Sequence, residues 1–298
     1  MGNKEIIVKS QKIILKKYLD ENDIKLIRNL EDICLTEDNI NLKLELEYRI
    51  EIKKDYNKSL NDVNEILYYL NDELIGYAGI SAFSRNIAEI NGMVHPSFRR
   101  KGIFTKIIEI ALDECRKRNF KEILLLGDDK SASAMKFIKK TKAIYSFSEC
   151  RMTCLEWEVK EINNESIVVK ATNKNAEDID RLNTLFFGDV SSEMILPEDE
   201  EKNNNITYFI KIDDKIIGKI KTSKEEENSI YISGFGIIPE YRRKGYGRAS
   251  LVKVLNKLKG ENISKIELDV EIKNKNALNL YKSCGFKEGS IMNYYRMI

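Results

Sequence analysis

Histidine occurs once, at His95, and the five cysteines, Cys34, Cys115, Cys150, Cys154 and Cys284, contain no Cys-x-x-Cys pair. A structural zinc site would lack ligands, so no metal is expected. An odd number of cysteines scattered along 298 residues is also no disulfide framework, and buried thiols in a reducing compartment are the expectation. Long apolar runs are missing as well. The start, MGNKEIIVKS, has no signal-type apolar core, Ile6 stands where a myristoylation motif needs Ser or Thr, and no later run approaches membrane-spanning length. A soluble, cytoplasmic protein without a membrane partner is expected. An excess of one charge is absent too: 50 Lys and Arg against 48 Asp and Glu leave +2, which argues against nucleic acid as a partner.

What the chain does have is apolar material for two cores, at 42% hydrophobic over 298 residues, and an internal repeat. EILYYLNDELIGYAGI, then MVHPSFRRKGIF and an amphipathic stretch, is followed later by ITYFIKIDDKIIGKIKTS, then GIIPEYRRKGYG and a second amphipathic stretch. Each reads as hairpin, strand, basic glycine turn and helix. Pro96 to Pro239 and Arg99 to Arg242 are 143 residues apart, whereas Gly76 to Gly218 is 142, a spacing of domain size. The join is placed near Asn163–Asn164, giving domains 1–163 and 164–298. The two helices should bury Ile107, Ile108, Ala111 and Cys115 in one copy and Leu251, Val254, Leu255 and Leu258 in the other, with Gly260 as a C-cap. A further strand and a short helix follow each, so each domain should be α+β, a mostly antiparallel mixed sheet flanked by helices.

The sharpest local feature is Arg242-Arg243-Lys244-Gly245-Tyr246-Gly247, between a strand ending at Pro239 and a helix that continues with Arg248. Glycines let backbone N–H groups approach a ligand, and the helix N-terminus behind them favours an anion such as pyrophosphate. Arg242 and Lys244 would add positive charge. Read alone, the same letters also describe a solvated basic turn. They match neither G-x-x-x-x-G-K-[ST] nor G-x-G-x-x-G.

RRKGYG resembles the acyl-CoA signature [RQ]-x-x-G-x-[GA] of the GNAT superfamily of N-acetyltransferases, and LDVEIKNKNALNLYKSCGF is similar to that family's second motif at Asn274, Ala277, Tyr281, Gly285 and Phe286. The tandem layout also resembles mycothiol synthase-type proteins. The resemblance implies an acetyl-CoA-dependent N-acyltransferase built of two GNAT-like domains, acting on an amine acceptor. It implies that Phe235, Gly236, Ile237 and Ile238 face the pantetheine arm of acetyl-CoA. The N–H groups of Gly245, Tyr246 and Gly247 would take the pyrophosphate, Arg242, Arg243, Lys244 and Arg248 would also contact the CoA, and Asn274 would touch the arm near the thioester. Tyr281 stands where family members protonate the departing thiolate, although a core aromatic on a short helix would look the same.

The C-terminal strand NSIYISGFGIIP carries no carboxylate, so Glu271 or a water is assigned as base. The first copy has Glu89 but departs elsewhere, with Phe104, Ser131 and Ile138 at motif positions. Arg99, Lys101 and Gly102 remain there, leaving CoA binding open, and a scaffold role is preferred. The resemblance implies that the run Glu198–Glu201 borders the acceptor site, and its acidity fits either a cationic amine or an exposed polar loop. A noncatalytic acyl-CoA-binding or interaction module of the same fold is the alternative to an enzyme.

Overall fold

The computed structural model describes residues 10–38, 40–46, 49–50, 62–82, 86–157, 162, 164–188, 194 and 196–298. Packing divides the chain into two compact units, one of residues 1–146 with 292–298 and the other of residues 147–291.

The first unit contains Gln11–Lys16 (β1), Glu21–Asp38 (α1), Glu65–Leu70 (β2), Glu73–Ser81 (β3), Ile87–Val94 (β4), Ile103–Lys117 (α2), Glu122–Asp128 (β5) and Ala132–Thr141 (α3). Asn71 and Asp72, both at positive φ, make the β2–β3 turn the tight kind that matches strand twist. Neighbouring strands run antiparallel from β1 to β4, and β4 and β5 are parallel. The strand that completes this sheet comes from the chain's end: residues 292–296 of Lys287–Arg296 (β12) pair antiparallel with β5. One face is sealed by α2, whose Ile107, Ile108, Ala111 and Cys115 are buried as the stripe requires.

The second unit repeats the order with Ile167–Lys170 (β7), Ala176–Phe187 (α4), Pro197–Glu201 (α5), Asn205–Ile212 (β8), Lys215–Glu226 (β9), Ser229–Ile237 (β10), Tyr246–Lys259 (α6), Lys265–Glu271 (β11) and Lys275–Ser283 (α7). Its last strand is residues 149–154 of Ile144–Cys154 (β6), antiparallel to β11. The four stripe residues of α6 are buried, and Gly260 caps the helix in the ordinary right-handed conformation. Trp157 Nε1 donates to the Leu255 carbonyl at 3.0 Å, tying the chain after β6 to α6. Truncating Ile107, Ile108, Leu251, Leu255 or Leu258 to Ala would cost about 2–5 kcal/mol.

The division by packing is not the sequential one at 163/164, because each half of the chain supplies the final strand of the other unit; Asn163 lies outside the described residues. All five cysteines are free and buried. Burial pushes the Cys115 thiol up to about 12 and Cys154 to about 11. Among the described residues no helix is long and apolar enough to cross a membrane.

Candidate active site

In both units the parallel strand pair separates after a short contact. β4 meets β5 only through Ile87–Ile90 against Glu122–Leu125, and β10 meets β11 only through Ser229–Tyr231 against Lys265–Glu267. Beyond those points each pair opens a gap whose facing edges have no ladder partners among the described residues, the kind of edge an extended ligand can join. Phe235, Gly236 and Ile237 lie on this open part of β10, with Ile238 just past its end.

The chain then turns into the helix in the same way in both copies. Arg100 (φ 65°) and Arg243 (φ 64°) are left-handed, as are the helix N-caps Gly102 (φ 79°) and Gly245 (φ 86°). Neither cap glycine supplies a side-chain hydrogen bond, so the first N–H groups of α2 and α6 stay directed at the turn. A Cβ on Gly102 or Gly245 would meet nothing within 4 Å, which is the open space a phosphate needs in front of those donors. This cradle fits the diphosphate of acetyl-CoA.

The arginines of the motif do not share one job. Arg242 Nε donates to the Ile237 carbonyl at 2.7 Å, and Arg99 Nε donates to Val94 at 3.0 Å, so each guanidinium braces its turn. Arg99 also pairs with Asp38 at 2.7 Å. Arg243 reaches Asn276 at 3.4 Å, Arg248 reaches the Ser283 carbonyl at 3.3 Å, and Lys244 lies over the Tyr241 ring. The Tyr246 hydroxyl donates to Glu165. A Cβ on Gly247 would touch Ile237, Leu280 and Phe235 at 3.7–3.9 Å, so this position joins the turn to β10 and α7.

Asn274 is the N-cap of α7 and accepts from the Ala277 N–H at 3.1 Å; Ser131 caps α3 through the Ala134 N–H at 3.2 Å. The capping role is therefore common to both copies. Tyr281 is buried on α7 against Phe235 and Phe286. Burial, with Cys284 beside it, pushes its phenol up, so it carries its proton at neutral pH. Glu271 is exposed at the end of β11, opposite Glu149.

A pocket of about 260 Å³ lies in the second unit beside the gap. Asn183 and Phe187 come to it from α4, Glu200 from α5, Thr207 from β8, Lys219 and Lys221 from β9 and Gly234 from β10. Lys219 is only 4% exposed, and its ammonium donates to the Gly234 carbonyl at 3.1 Å. Burial, then Lys221 beside it, pulls the ammonium down to about 8. Glu200 pairs with Lys221 at 2.6 Å. Of its lining, only Glu200 belongs to the stretch that the sequence reading places beside an acceptor, the acidic run Glu198–Glu201.

The carboxylates of the acidic run are answered by neighbouring groups, as an exposed polar segment would be. The run makes up most of α5, where Glu198 accepts from the Asn173 N–H, Asp199 pairs with Lys202 and Glu201 pairs with Lys170. Only Glu200 reaches the pocket, already paired.

The register explains the unequal repeat spacings. Between Asn91 and Met93 in β4 lies one residue, but between Ser233 and Gly236 in β10 lie two, a bulge that includes Gly234 at φ 57°. Before the bulge the copies correspond at an offset of 142, after it at 143. Glu89 opposes Ser81, and Tyr231 opposes Ser223, so Tyr231 is the counterpart of Glu89. Its hydroxyl donates to Asp269 at 3.0 Å, and Asp269 also accepts from Arg151 at 2.6 Å.

In the first unit the gap opens into a cavity of about 1340 Å³ lined by Arg100, Gly102, Phe104, Ser131, Phe137 and Ile138 among others. The Phe104 ring meets Phe137 of α3 edge-on at 4.7 Å, and both line the cavity. Residues 41–43 cross this gap: the Asn41 N–H donates to Asp128 on β5 at 3.0 Å, and Asn91 on β4 donates to the Lys43 carbonyl.

Known proteins match both copies. The model of the acetyltransferase (GNAT) family covers residues 25–142 and 176–286. The chain is 40% identical over 58 residues to the [ribosomal protein bS18]-alanine N-acetyltransferase of Escherichia coli, a match covering 19% of this chain and 39% of that protein. It is 29% identical over 128 residues to the uncharacterized N-acetyltransferase YycN of Bacillus subtilis, covering 42% of this chain and 79% of that one. Among solved structures, a GCN5-related N-acetyltransferase from Sphaerobacter thermophilus superposes with a TM-score of 0.76 at 16% identity, over 96% of this chain and 95% of that one. A tandem GNAT protein from the clavulanic acid biosynthesis pathway gives 0.67 at 11%, over 96% and 98%. These structures share the fold. With both copies matched in sequence and the same gap and glycine turn in each, the chain belongs to the acetyltransferase (GNAT) family.

Proposed function

We propose that the chain moves an acetyl group from acetyl-CoA to a primary amine by direct attack, with the chemistry in the second unit. The observation that carries this reading is the convergence, at one end of β10, of an unpartnered strand edge, the left-handed Gly245 turn and the buried, protonated Tyr281 phenol. Acetyl-CoA supplies the activated acetyl group. The N–H groups from Gly245 to Gly247 hold its diphosphate, braced by Arg242, and the edge from Phe235 to Ile238 aligns the pantetheine amides, with Asn274 at the mouth of the gap. As the amine nitrogen forms a bond to the acetyl carbon and the C–S bond breaks, Tyr281 gives its proton to the leaving sulfur; the proton lost from the ammonium passes to water or Glu271, and solvent returns one to the Tyr281 phenolate.

Tyr281→Phe tests the reading, since it keeps the ring against Phe235 and removes one proton. The expected result is a fall in kcat of about 10²- to 10⁴-fold at unchanged acetyl-CoA affinity. Ile138→Ala at the matching place in the first unit should affect stability only. Wild-type turnover in Tyr281→Phe would defeat the assignment.

The large cleft of the first unit favours a second reading alongside the first, that this unit also holds CoA but without chemistry, because Ile138 offers no proton. Calorimetry distinguishes it from a scaffold: two CoA sites per chain, one lost in Gly102→Val and the other in Gly245→Val, against a single site lost only in Gly245→Val.

A further inference from the structure

The two units can be compared at one spot on the sheet face opposite α2 and α6. In the first unit Glu65 opposes Gly79, and in the second Thr207 opposes Lys221, so an offset of 142 carries Glu65 to Thr207, Tyr77 to Lys219 and Gly79 to Lys221. The spot in the first unit is filled from within. The Arg49 guanidinium lies against Gly79, where a Cβ would come within 2.3 Å of it, and it donates to Glu65 at 2.9 Å, Ser81 at 2.9 Å and Asn91 at 3.3 Å. Glu65 also accepts from the Tyr77 hydroxyl at 2.6 Å. A buried cation and a buried carboxylate thus complete each other.

In the second unit the cations are Lys219 and Lys221, and the counterpart of the carboxylate is the neutral Thr207. What remains there is the pocket of about 260 Å³. Among the described residues Lys221 has Glu200 as its partner, whereas Lys219 has a carbonyl and the Phe187 ring, and no carboxylate within ion-pair reach. The charged groups facing Lys219 among the described residues are Lys221 on its own strand and Glu200 on α5; α4 brings Asn183 and Phe187, β8 Thr207 and β10 Gly234. Two ammonium groups against one carboxylate leave one positive charge out of water, the arrangement that a bound anion relieves.

We infer that this pocket anchors the acetyl acceptor through a carboxylate on the acceptor, which pairs with Lys219 in the place that Glu65 fills in the first unit. The inference rests on the transfer reading above and names the acceptor's class: a small amine that bears a carboxylate, of amino-acid size. The size follows from the volume, which is below the roughly 300–1,000 Å³ of pockets that house larger ligands. The orientation follows from Gly234, which is both a wall of the pocket and part of the bulge at the mouth of the gap, so an acceptor held by Lys219 lies beside the strand edge assigned to the thioester arm.

The test titrates a panel of L-amino acids, each beside its own α-carboxamide, into the full chain presaturated with CoA, followed by calorimetry. At least one amino acid should bind tenfold or more tighter than its carboxamide, and Lys219→Met should abolish that preference while acetyl-CoA affinity stays at the wild-type value. A second readout is the Lys219 side-chain NMR signal, identified by its loss in Lys219→Met. Its titration midpoint should move upward from about 8 when the amino acid binds, because an anion favours the charged form. Equal binding of acids and amides, binding by no member of the panel, or a preference that survives Lys219→Met overturns the inference. Failure of the transfer reading looks different: carboxylate preference without thiol release from acetyl-CoA sinks the transfer and keeps the anion site, whereas acetylation of amides as fast as acids does the reverse.

Discussion

One location on two copies of the same sheet holds opposite solutions to the problem of a buried cation. Under β3 in the first unit, Arg49 and Glu65 are both almost fully buried and satisfy each other, with Tyr77, Ser81 and Asn91 taking the remaining bonds. Under β9 in the second, Lys219 is as deeply buried, yet among the described residues it has no counter-charge of its own and the space beside it is open. A fold that needed only stability would fill both. The difference therefore locates specificity: the closed copy uses its own side chains where the open one leaves room for a ligand, and the open copy is also the one that retains Tyr281.

The largest effect expected from breaking this contrast is in the closed copy. Arg49→Met leaves Glu65 buried with only the Tyr77 hydroxyl to answer it, and burial already pushes that carboxyl up. Loss of one partner of such a pair should cost about 3–5 kcal/mol. Amide hydrogen exchange in β2–β4 measures it locally, and Arg49→Met combined with Glu65→Gln should recover part of the loss. A variant as stable as wild type would show that the pair does not hold this face.

The open copy should respond in the other direction. Lys219 titrates near 8 in the folded chain against an ordinary lysine value of 10.5, so between those values the unfolded chain binds more protons and folding gains stability as pH rises. Below pH 8 the cost is fully present. Lys219→Met removes it, and the variant should be more stable than wild type at pH 7, by on the order of 3 kcal/mol at most, with the advantage fading toward pH 10.5. Urea unfolding followed by the fluorescence of Trp157, the chain's single tryptophan and a residue of the second unit, reads this directly. A pH-independent difference would mean that Lys219 is not held in a dry site.

What could be read from the sequence was local. The glycine turn, the buried stripes of α2 and α6 and the α+β repeat are each set by residues within a few positions of one another, and they appear where spacing places them. The strand exchange is not local. β6 alternates buried Ser148, Cys150, Met152 and Cys154 with more exposed neighbours, a pattern that fits any half-buried edge and does not name β11 as its partner. Lys219 and Lys221 are illegible in the sequence for a related reason. Alternating with Ile220, they look like the wet face of a strand, but α4 and α5 cover that face. The one clue was arithmetic: the shift from 142 to 143 between Gly218 and Pro239 marks the bulge that puts Gly234 in the pocket wall. The acidic run is ambiguous in the sequence for the converse reason, since composition shows four carboxylates and not the lysines and backbone N–H that answer them.

That run supplies the smallest contrast and the finest one. Asp199 pairs with Lys202 three residues on, both exposed, so Asp199→Asn should leave Tm and acceptor binding unchanged. Glu200 is different because it stands between Lys221 and the pocket. Its carboxylate raises the Lys219 midpoint while Lys221 lowers it, so Glu200→Gln should shift that midpoint further below its wild-type value of about 8. Among the described residues Glu200 is the carboxylate that competes with an acceptor carboxylate for the two lysines, so binding of the preferred amino acid should tighten by a few-fold below the variant's lowered midpoint, where Lys219 is charged in both proteins, and the gain should disappear above it. Asp199→Asn and Glu200→Gln remove one negative charge each from the same short helix. Identical effects on acceptor binding would mean that only the general field of the helix matters, whereas a response confined to Glu200→Gln ties acceptor recognition to the lysine pair on β9.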